Sequence, residues 1–230
     1  MIGRYQTLCA ALFSAAFFSG CAESGAFGQM SLLQNGASGL PTVISTAELA
    51  RGDITVTGPD GYCIDQTTLR SSRSGGFAAM ASCNIMSGGT EGAIVEPALV
   101  TVTVSAAPDT VPSPADLAAA LQTDLLQSRE LSALAVGQMA TGGENAFAGS
   151  DAKHWRGAFV TGDYLVGVTL YAPQGSPLIG AQGAAFLNTV SSNIRAKSRS
   201  RSSSASAEQS QSQVDPLAAR LGRLFARRDL

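Results

Sequence analysis

The sequence predicts an α+β domain in which an antiparallel sheet is packed with helices. Several short segments alternate apolar and polar residues with the period of a strand, and two segments space their apolar residues as a helix does. The composition of the 230-residue chain also changes towards both ends. We therefore expect five segments: a signal peptide at 1–20, a lipid-anchored flexible tether at 21–50, the α+β domain at 51–196, a disordered Ser-rich linker at 197–213 and a basic amphipathic helix at 214–230.

The first strand is expected at residues 54–57, which alternate in polarity. A Pro-Asp-Gly sequence typical of a turn follows, and then a second extended segment that contains Cys63. Residues 77–83 can form its partner strand, which would place Cys63 and Cys83 in neighbouring strands.

The four cysteines divide into different roles. Cys9 lies in the expected signal peptide and Cys21 is assigned to lipid, which leaves Cys63 and Cys83 as one pair. In an oxidising periplasm we expect them to form a disulfide, which for a loop of this length stabilises a fold by about 3 kcal/mol. A redox or metal role is the alternative, but the chain has a single histidine and no Cys-x-x-Cys spacing here.

The middle of the chain alternates strictly at residues 100–104, which predicts a strand with one buried face. A helix is expected next, because Ser113, Pro114 and Asp116 supply an N-cap, a first-position proline and an acidic third residue. Three leucines then follow at the four-residue spacing of one helix face: Leu117, Leu121 and Leu125.

Two more strands are expected to form a hairpin, in which residues 155–160 pair with 164–171, and residues 133–140 add another extended segment. An apolar stripe predicts the closing helix: Ile179, Gly183, Phe186, Val190 and Ile194. This order of elements resembles the PsbP-like α/β/α sandwich of many secreted and lipid-anchored bacterial proteins. The resemblance rests on element order alone, so it implies a fold and no functional residues.

The N-terminus has the features of a signal peptide. Arg4 precedes an apolar run at residues 8–18, which is too short to span a bilayer. The Phe-Ser-Gly-Cys sequence at 18–21 resembles the lipobox of bacterial lipoproteins, which implies palmitate-type acylation of Cys21 and a periplasm-facing position on the cell envelope. By the same resemblance, Ala22 favours the outer over the inner membrane. An ordinary cleaved signal peptide with unmodified Cys21 is the alternative.

The two parts of the mature chain carry opposite net charge. Residues 21–194 hold 6 basic and 14 acidic residues (net −8), whereas residues 195–230 hold 8 basic and 3 acidic residues (net +5). A Ser-rich stretch at 197–213 predicts a linker, and Asp215 followed by proline predicts the start of a short helix. The apolar face of this helix consists of Leu217, Leu221, Leu224 and Phe225. Its basic face consists of Arg220, Arg223, Arg227 and Arg228.

Three roles are open for this basic helix. It docks on its own acidic domain or stays frayed, lies in a membrane interface rich in anionic lipid, or binds the groove of another envelope protein. Nucleic-acid binding by its arginines is not expected in a periplasmic location.

Sequence motifs for catalysis are absent: no G-x-S-x-G elbow, G-x-G-x-x-G turn, Walker loop or H-E-x-x-H pair occurs. The only histidine, His154, excludes a multi-histidine metal site, although Asp151 could pair with it. Turn chemistry accounts for Asp60 and Asp65. The hairpin aromatics are expected to form cross-strand core pairs rather than a pocket: Trp155, Phe159, Tyr164 and Tyr171. No catalytic residue, metal ligand or cofactor is therefore assigned.

Two functions follow as hypotheses. The leading one is a non-enzymatic envelope lipoprotein that acts as an accessory, scaffolding or assembly factor near the membrane. Its partners are the membrane, through the N-terminal lipid, and anionic lipid or an envelope protein, through the C-terminal helix. The alternative is a small-ligand-binding or hydrolytic periplasmic protein with a cleft near His154.

Overall fold

The computed structural model describes residues 43–198 of the chain. The expected signal peptide, Cys21 and the basic helix at 214–230 lie outside the described residues, as does the expected linker from residue 199 onwards. Its first two residues, 197 and 198, are instead helical.

Eleven strands and three α-helices make up the described part of the chain. The strands are β1 (Val43–Ile44), β2 (Thr46–Leu49), β3 (Ile54–Thr57), β4 (Tyr62–Asp65), β5 (Arg70–Ser72), β6 (Gly75–Ser82), β7 (Leu99–Ala106), β8 (Leu125–Glu130), β9 (Ala135–Met139), β10 (His154–Thr161) and β11 (Tyr164–Tyr171). The helices are α1 (Cys83–Met86), α2 (Pro114–Ala120) and α3 (181–198). None of these three helices has the length and apolar character that crossing a membrane requires.

Nine strands form one antiparallel sheet. Eight follow the order β1-β4-β6-β7-β11-β10-β9-β8, and β5 pairs with β6 beside them. Strands β2 and β3 form a separate antiparallel pair. The α+β class and the antiparallel sheet are therefore confirmed. Part of the segment assigned to the tether forms strands β1 and β2; β1 is only two residues long, but Thr46–Leu49 alternates between exposed and buried residues, so this strand could have been predicted.

Strand β7 shows why alternation predicts a half-buried strand. Val100, Val102 and Val104 are buried, whereas Thr101 is half-buried and Thr103 is exposed. The buried row continues in register through neighbouring strands, so that one face of the sheet is apolar: Met80, Val166, Val168, Leu170, Trp155 and Phe159. Each buried side chain of this size contributes about 2 kcal/mol of hydrophobic stabilisation.

The expected hairpin of β10 and β11 forms, although Thr161, expected in the loop, is paired. Thr161 pairs with Tyr164, which leaves Gly162 and Asp163 as a two-residue loop. Gly162 has a φ of 55°, a left-handed conformation that glycine adopts without a steric penalty.

The two cysteines of the described residues are joined as the sequence predicts, but Cys83 begins α1 and does not lie in the neighbouring strand. Cys63 in β4 and Cys83, the residue after β6, form a disulfide with their Cα atoms 4.9 Å apart. The strands are direct neighbours, and Cys63 pairs with Ala81 in register. The bond thus links β4, which lies between β1 and β6, to the start of α1.

Helix α2 begins as expected but ends early. Ser113 and Asp116 form the capping box. Gln122 then adopts a φ of 55°, and its N–H and that of Thr123 bond the carbonyls of residues 119 and 118, which is a Schellman ending. Leu121 is therefore 41% exposed, and Leu125 begins β8. The expectation of a three-leucine helix face was wrong, because the last leucine pairs in a strand.

The buried stripe of α3 differs in part from the expected one. Ile179 lies in a 3-10 turn before the helix, and Phe186 is only partly buried. Val190 and Ile194 are fully buried as expected, and Leu187 is the further fully buried apolar residue of the helix, with Ala184 nearly so. Phe186 lies against Tyr62 in an edge-to-face contact, with ring centroids 4.8 Å apart.

Trp155 joins α3 to the apolar face of the sheet. Its indole N–H donates to the carbonyls of Ile179 and Gly180, at 3.0 and 3.1 Å. Gly183 allows the helix backbone to come this close. A Cβ at that position would lie 2.6 Å from Trp155 Cδ1 and 2.0 Å from the carbonyl oxygen of Leu178.

Replacing Gly183 with alanine should therefore destabilise the domain by about 1–3 kcal/mol, because the added methyl group overpacks the contact. Urea unfolding should show a lower midpoint at an unchanged slope. Gly180→Ala is the matched control, since a Cβ there would meet only the carbonyl oxygen of Pro177, at 3.4 Å, and its φ is −82°. Equal midpoints for the two variants would contradict this explanation.

Candidate functional site

Polar side chains gather on the second face of the sheet, opposite the face that α3 covers. They come from β10, β11 and β7, at the positions that alternate with the apolar row. We call them the polar cluster: His154, Arg156, Thr169, Tyr171 and Thr101. In register, Arg156 lies opposite Thr169, and Thr169 lies opposite Thr101.

Helix α2 and a loop border the polar cluster. Gly137 of β9 pairs with Arg156 in register, and a Cβ at Gly137 would lie 2.9 Å from Cβ of Pro114, so the start of α2 sits beside Arg156. On the other side, the loop at 140–153 passes His154, and a Cβ at Gly142 would lie 3.6 Å from its Cε1. Towards β7 the face is exposed at Thr103.

His154 is held in a nearly closed environment. It is 3% exposed, and its ring stacks on Tyr171 with centroids 5.2 Å apart. Burial, and secondly the charge of Arg156, lower its pKa to about 4, although the Ala152 backbone and Glu144 act in the opposite direction. The imidazole is therefore neutral at pH 7, and its Nδ1 has no hydrogen-bond partner.

Arg156 has more hydrogen-bonding capacity than its surroundings use. It is half-buried, and its Nη2 donates to the hydroxyl of Tyr171 over a long 3.4 Å. Its Nε is buried and unpartnered. The described residues contain three such unpartnered buried atoms, the third being Oγ of Ser191 in α3. Two of the three thus belong to the polar cluster, where buried polar groups normally require a partner.

The carboxylates suggested by the sequence do not join this cluster. Asp151 Oδ1 accepts a hydrogen bond from the backbone N–H of Lys153 at 2.9 Å, which makes a local turn instead of a pair with His154. Asp65 accepts from the N–H and hydroxyl of Thr67, as turn chemistry predicts. Within residues 43–198, no three His, Cys, Asp or Glu side chains are grouped so that they could hold a metal ion.

The four hairpin aromatics divide between different surroundings. Trp155 and Phe159 lie in the core, as expected. Tyr171 instead belongs to the polar cluster, and Tyr164 donates its hydroxyl to Asp53 at 3.0 Å. Sequence reasoning did not select Arg156. Its position two residues after His154, on the same strand face, was the available signal.

A second exposed feature is β8, an edge strand of the sheet. It pairs with β9, and all its residues except Leu125 are exposed. A bulge at Leu126 interrupts the register, and this leucine is 50% exposed. Bulges and charged residues such as Arg129 protect edge strands from uncontrolled pairing with other strands. Strand β8 is therefore a restricted edge, at which a further strand can pair only if it accommodates these features.

Comparisons with protein-family models, with curated proteins and with solved structures found no match to this chain.

The lowered pKa of His154 predicts a specific loss of stability in acid. The unfolded chain binds a proton near the ordinary histidine pKa of 6.5, whereas the folded chain does so only at about 4. The free energy of unfolding should therefore fall as pH drops from 6.5 to 4, by on the order of 3 kcal/mol, and this contribution should be constant below that range.

Urea unfolding of the protein and of His154→Gln across this pH range measures the effect. The contribution of the carboxylates, which both proteins share, cancels in the difference between their free energies of unfolding. NMR titration of the single histidine ring gives the pKa directly. An ordinary value near 6.5 in the folded protein would contradict the burial and charge effects described.

Proposed function

We propose that this chain is an exported cell-envelope protein of non-enzymatic type, which acts as an accessory, scaffolding or assembly factor near the membrane. The observation that carries the proposal is the disulfide between Cys63 and Cys83. Structural disulfides form and persist in oxidising compartments such as the periplasm, and are rare in the cytosol. The signal-peptide features of the N-terminus agree with this location.

We further propose that Cys21 carries the lipid that holds the domain at the membrane, facing the periplasm, with the outer membrane preferred to the inner. More than one acyl chain on a cysteine makes anchoring durable, since each buried methylene contributes about 0.8 kcal/mol. The basic helix at 214–230 would then reach anionic lipid or an envelope protein.

A partner-binding role is supported by how the domain is built. The apolar face of the sheet is filled by α3, and β8 offers a restricted edge for an extended partner segment. We also propose that the fold is of the PsbP-like sandwich type. Its support is the order of elements, together with α3 on one face of the sheet and α2 beside Gly137 on the other.

Hydrolysis is not part of the proposal. In the described part of the chain, no carboxylate is hydrogen-bonded to His154, and a pKa of about 4 makes its imidazole a weak base at neutral pH.

Cys21→Ala should remove the lipid anchor. The protein should then leave the membrane fraction and appear in the soluble fraction, or else keep its signal peptide uncleaved. Cys9→Ala is the matched control and should remain with the membrane, since it stays apolar within the expected signal peptide. Peptide maps without reductant should show the cross-link between Cys63 and Cys83 in both variants. A wild-type protein with intact Met1 and free thiols would refute export.

Replacing the four arginines of the basic helix with glutamine should weaken binding of the full chain to anionic vesicles at low salt. Each basic residue near an anionic surface contributes about 1 kcal/mol. The substitutions are Arg220→Gln, Arg223→Gln, Arg227→Gln and Arg228→Gln, and vesicles of neutral lipid are the control. Equal binding of both proteins to anionic vesicles would exclude the lipid role and favour docking on protein.

A further inference from the structure

We propose that the polar cluster on the second face of the sheet binds the carboxylate group of a small organic anion, with Arg156 as the principal contact. Tyr171 would supply its hydroxyl group to the same ligand. The proposal does not depend on the lipid anchor or on export, so the two can fail separately.

The strand register brings these groups together. Arg156, Thr169 and Thr101 lie opposite one another on three adjacent strands, whose spacing is about 5 Å. Tyr171 follows Thr169 on the same face of β11, and its hydroxyl accepts from Arg156. A ligand placed over these strands would meet a guanidinium and a hydroxyl together.

Unused hydrogen-bonding groups of Arg156 support this proposal. A guanidinium has five N–H donors, yet Arg156 makes one long bond, and its buried Nε makes none. Among residues 43–198 it forms no ion pair with a carboxylate. His154, almost fully buried on the same strand face, leaves Nδ1 without a partner as well. A carboxylate accepts two parallel N–H bonds from one guanidinium and would use the capacity of its two terminal nitrogens, while the buried Nε is not itself a contact.

The charge of the cluster favours a monoanion. Arg156 is its only fixed positive charge, because His154 is neutral at pH 7. Glu144 is close enough to influence His154 electrostatically, and it adds negative charge on that side. A carboxylate balances one arginine, whereas a phosphate monoester, which carries nearly two negative charges at neutral pH, would be repelled by Glu144.

Binding should have a spectroscopic consequence at His154. The charge of Arg156 is one of the two causes that lower the pKa of this histidine. The groups that act on the ring are Arg156, Glu144, the backbone of Ala152 and the stacked Tyr171. A carboxylate on Arg156 would offset the arginine charge, and the pKa of His154 should then rise from about 4 towards its ordinary value.

Calorimetric titration of the purified full-length protein with benzoate tests the proposal, together with NMR titration of the histidine ring. Benzamide has the same shape without the charge, and phenyl phosphate has the same ring with a dianionic group. We expect saturable one-to-one binding of benzoate, weaker binding of both analogues, and a raised pKa of His154 with benzoate alone. Absence of benzoate binding, or equal binding of benzamide, would overturn the proposal. Tighter binding of phenyl phosphate would overturn the choice of carboxylate.

Variants locate the site. Arg156→Gln should weaken benzoate binding about tenfold or more, which corresponds to losing a charge-assisted hydrogen-bonded pair. Arg129→Gln, at an exposed arginine of β8, is the matched control and should bind normally. If Arg156→Gln does not fold, Arg156→Lys and Tyr171→Phe serve instead. Lysine keeps the charge without the planar fork, so both should weaken binding. Unchanged affinity in a folded Arg156 variant would place the ligand elsewhere.

Discussion

The contact between Trp155 and α3 determines the organisation of this domain. The indole is fully buried in the middle of the sheet, and its N–H bonds two carbonyls at the start of the helix. Gly183 lets the helix backbone lie directly against the ring. Because this contact seats the long helix α3 over one face of the sheet, that face is filled mostly with apolar side chains, and the buried Gln138 there is satisfied by hydrogen bonds with Gln127 and the carbonyl of Ile179.

The side chains of β10 alternate between the two faces of the sheet, and this alternation makes the second face polar. Side chains of neighbouring residues in a strand point to opposite sides, so the burial of Trp155 beneath α3 sends His154 and Arg156 to the other surface. There the sheet carries hydroxyls from β11 and β7. One strand thus contributes both the central core residue and the cationic group of the candidate site, which couples the stability of the fold to the geometry of the site.

Local patterns in the sequence predicted those parts of the fold that local physics controls. The hairpin, the alternation of β7 and the capping box at Ser113 depend on neighbouring residues, and each was correct. The sequence did not predict where α2 ends, because Gln122 adopts a left-handed conformation that is usually found at glycine. The site was missed for another reason. Arg156 is distinctive because no carboxylate among residues 43–198 pairs with it, and this depends on tertiary structure.

Trp155 is the only tryptophan in the chain, so its fluorescence measures the contact with α3 most directly. In the native protein, the indole should be shielded from acrylamide quenching. During urea unfolding, the fluorescence change should coincide with the loss of helical circular dichroism, because the ring and the helix separate together. A native indole that acrylamide quenches as readily as in the unfolded chain would contradict the seating of α3 on Trp155.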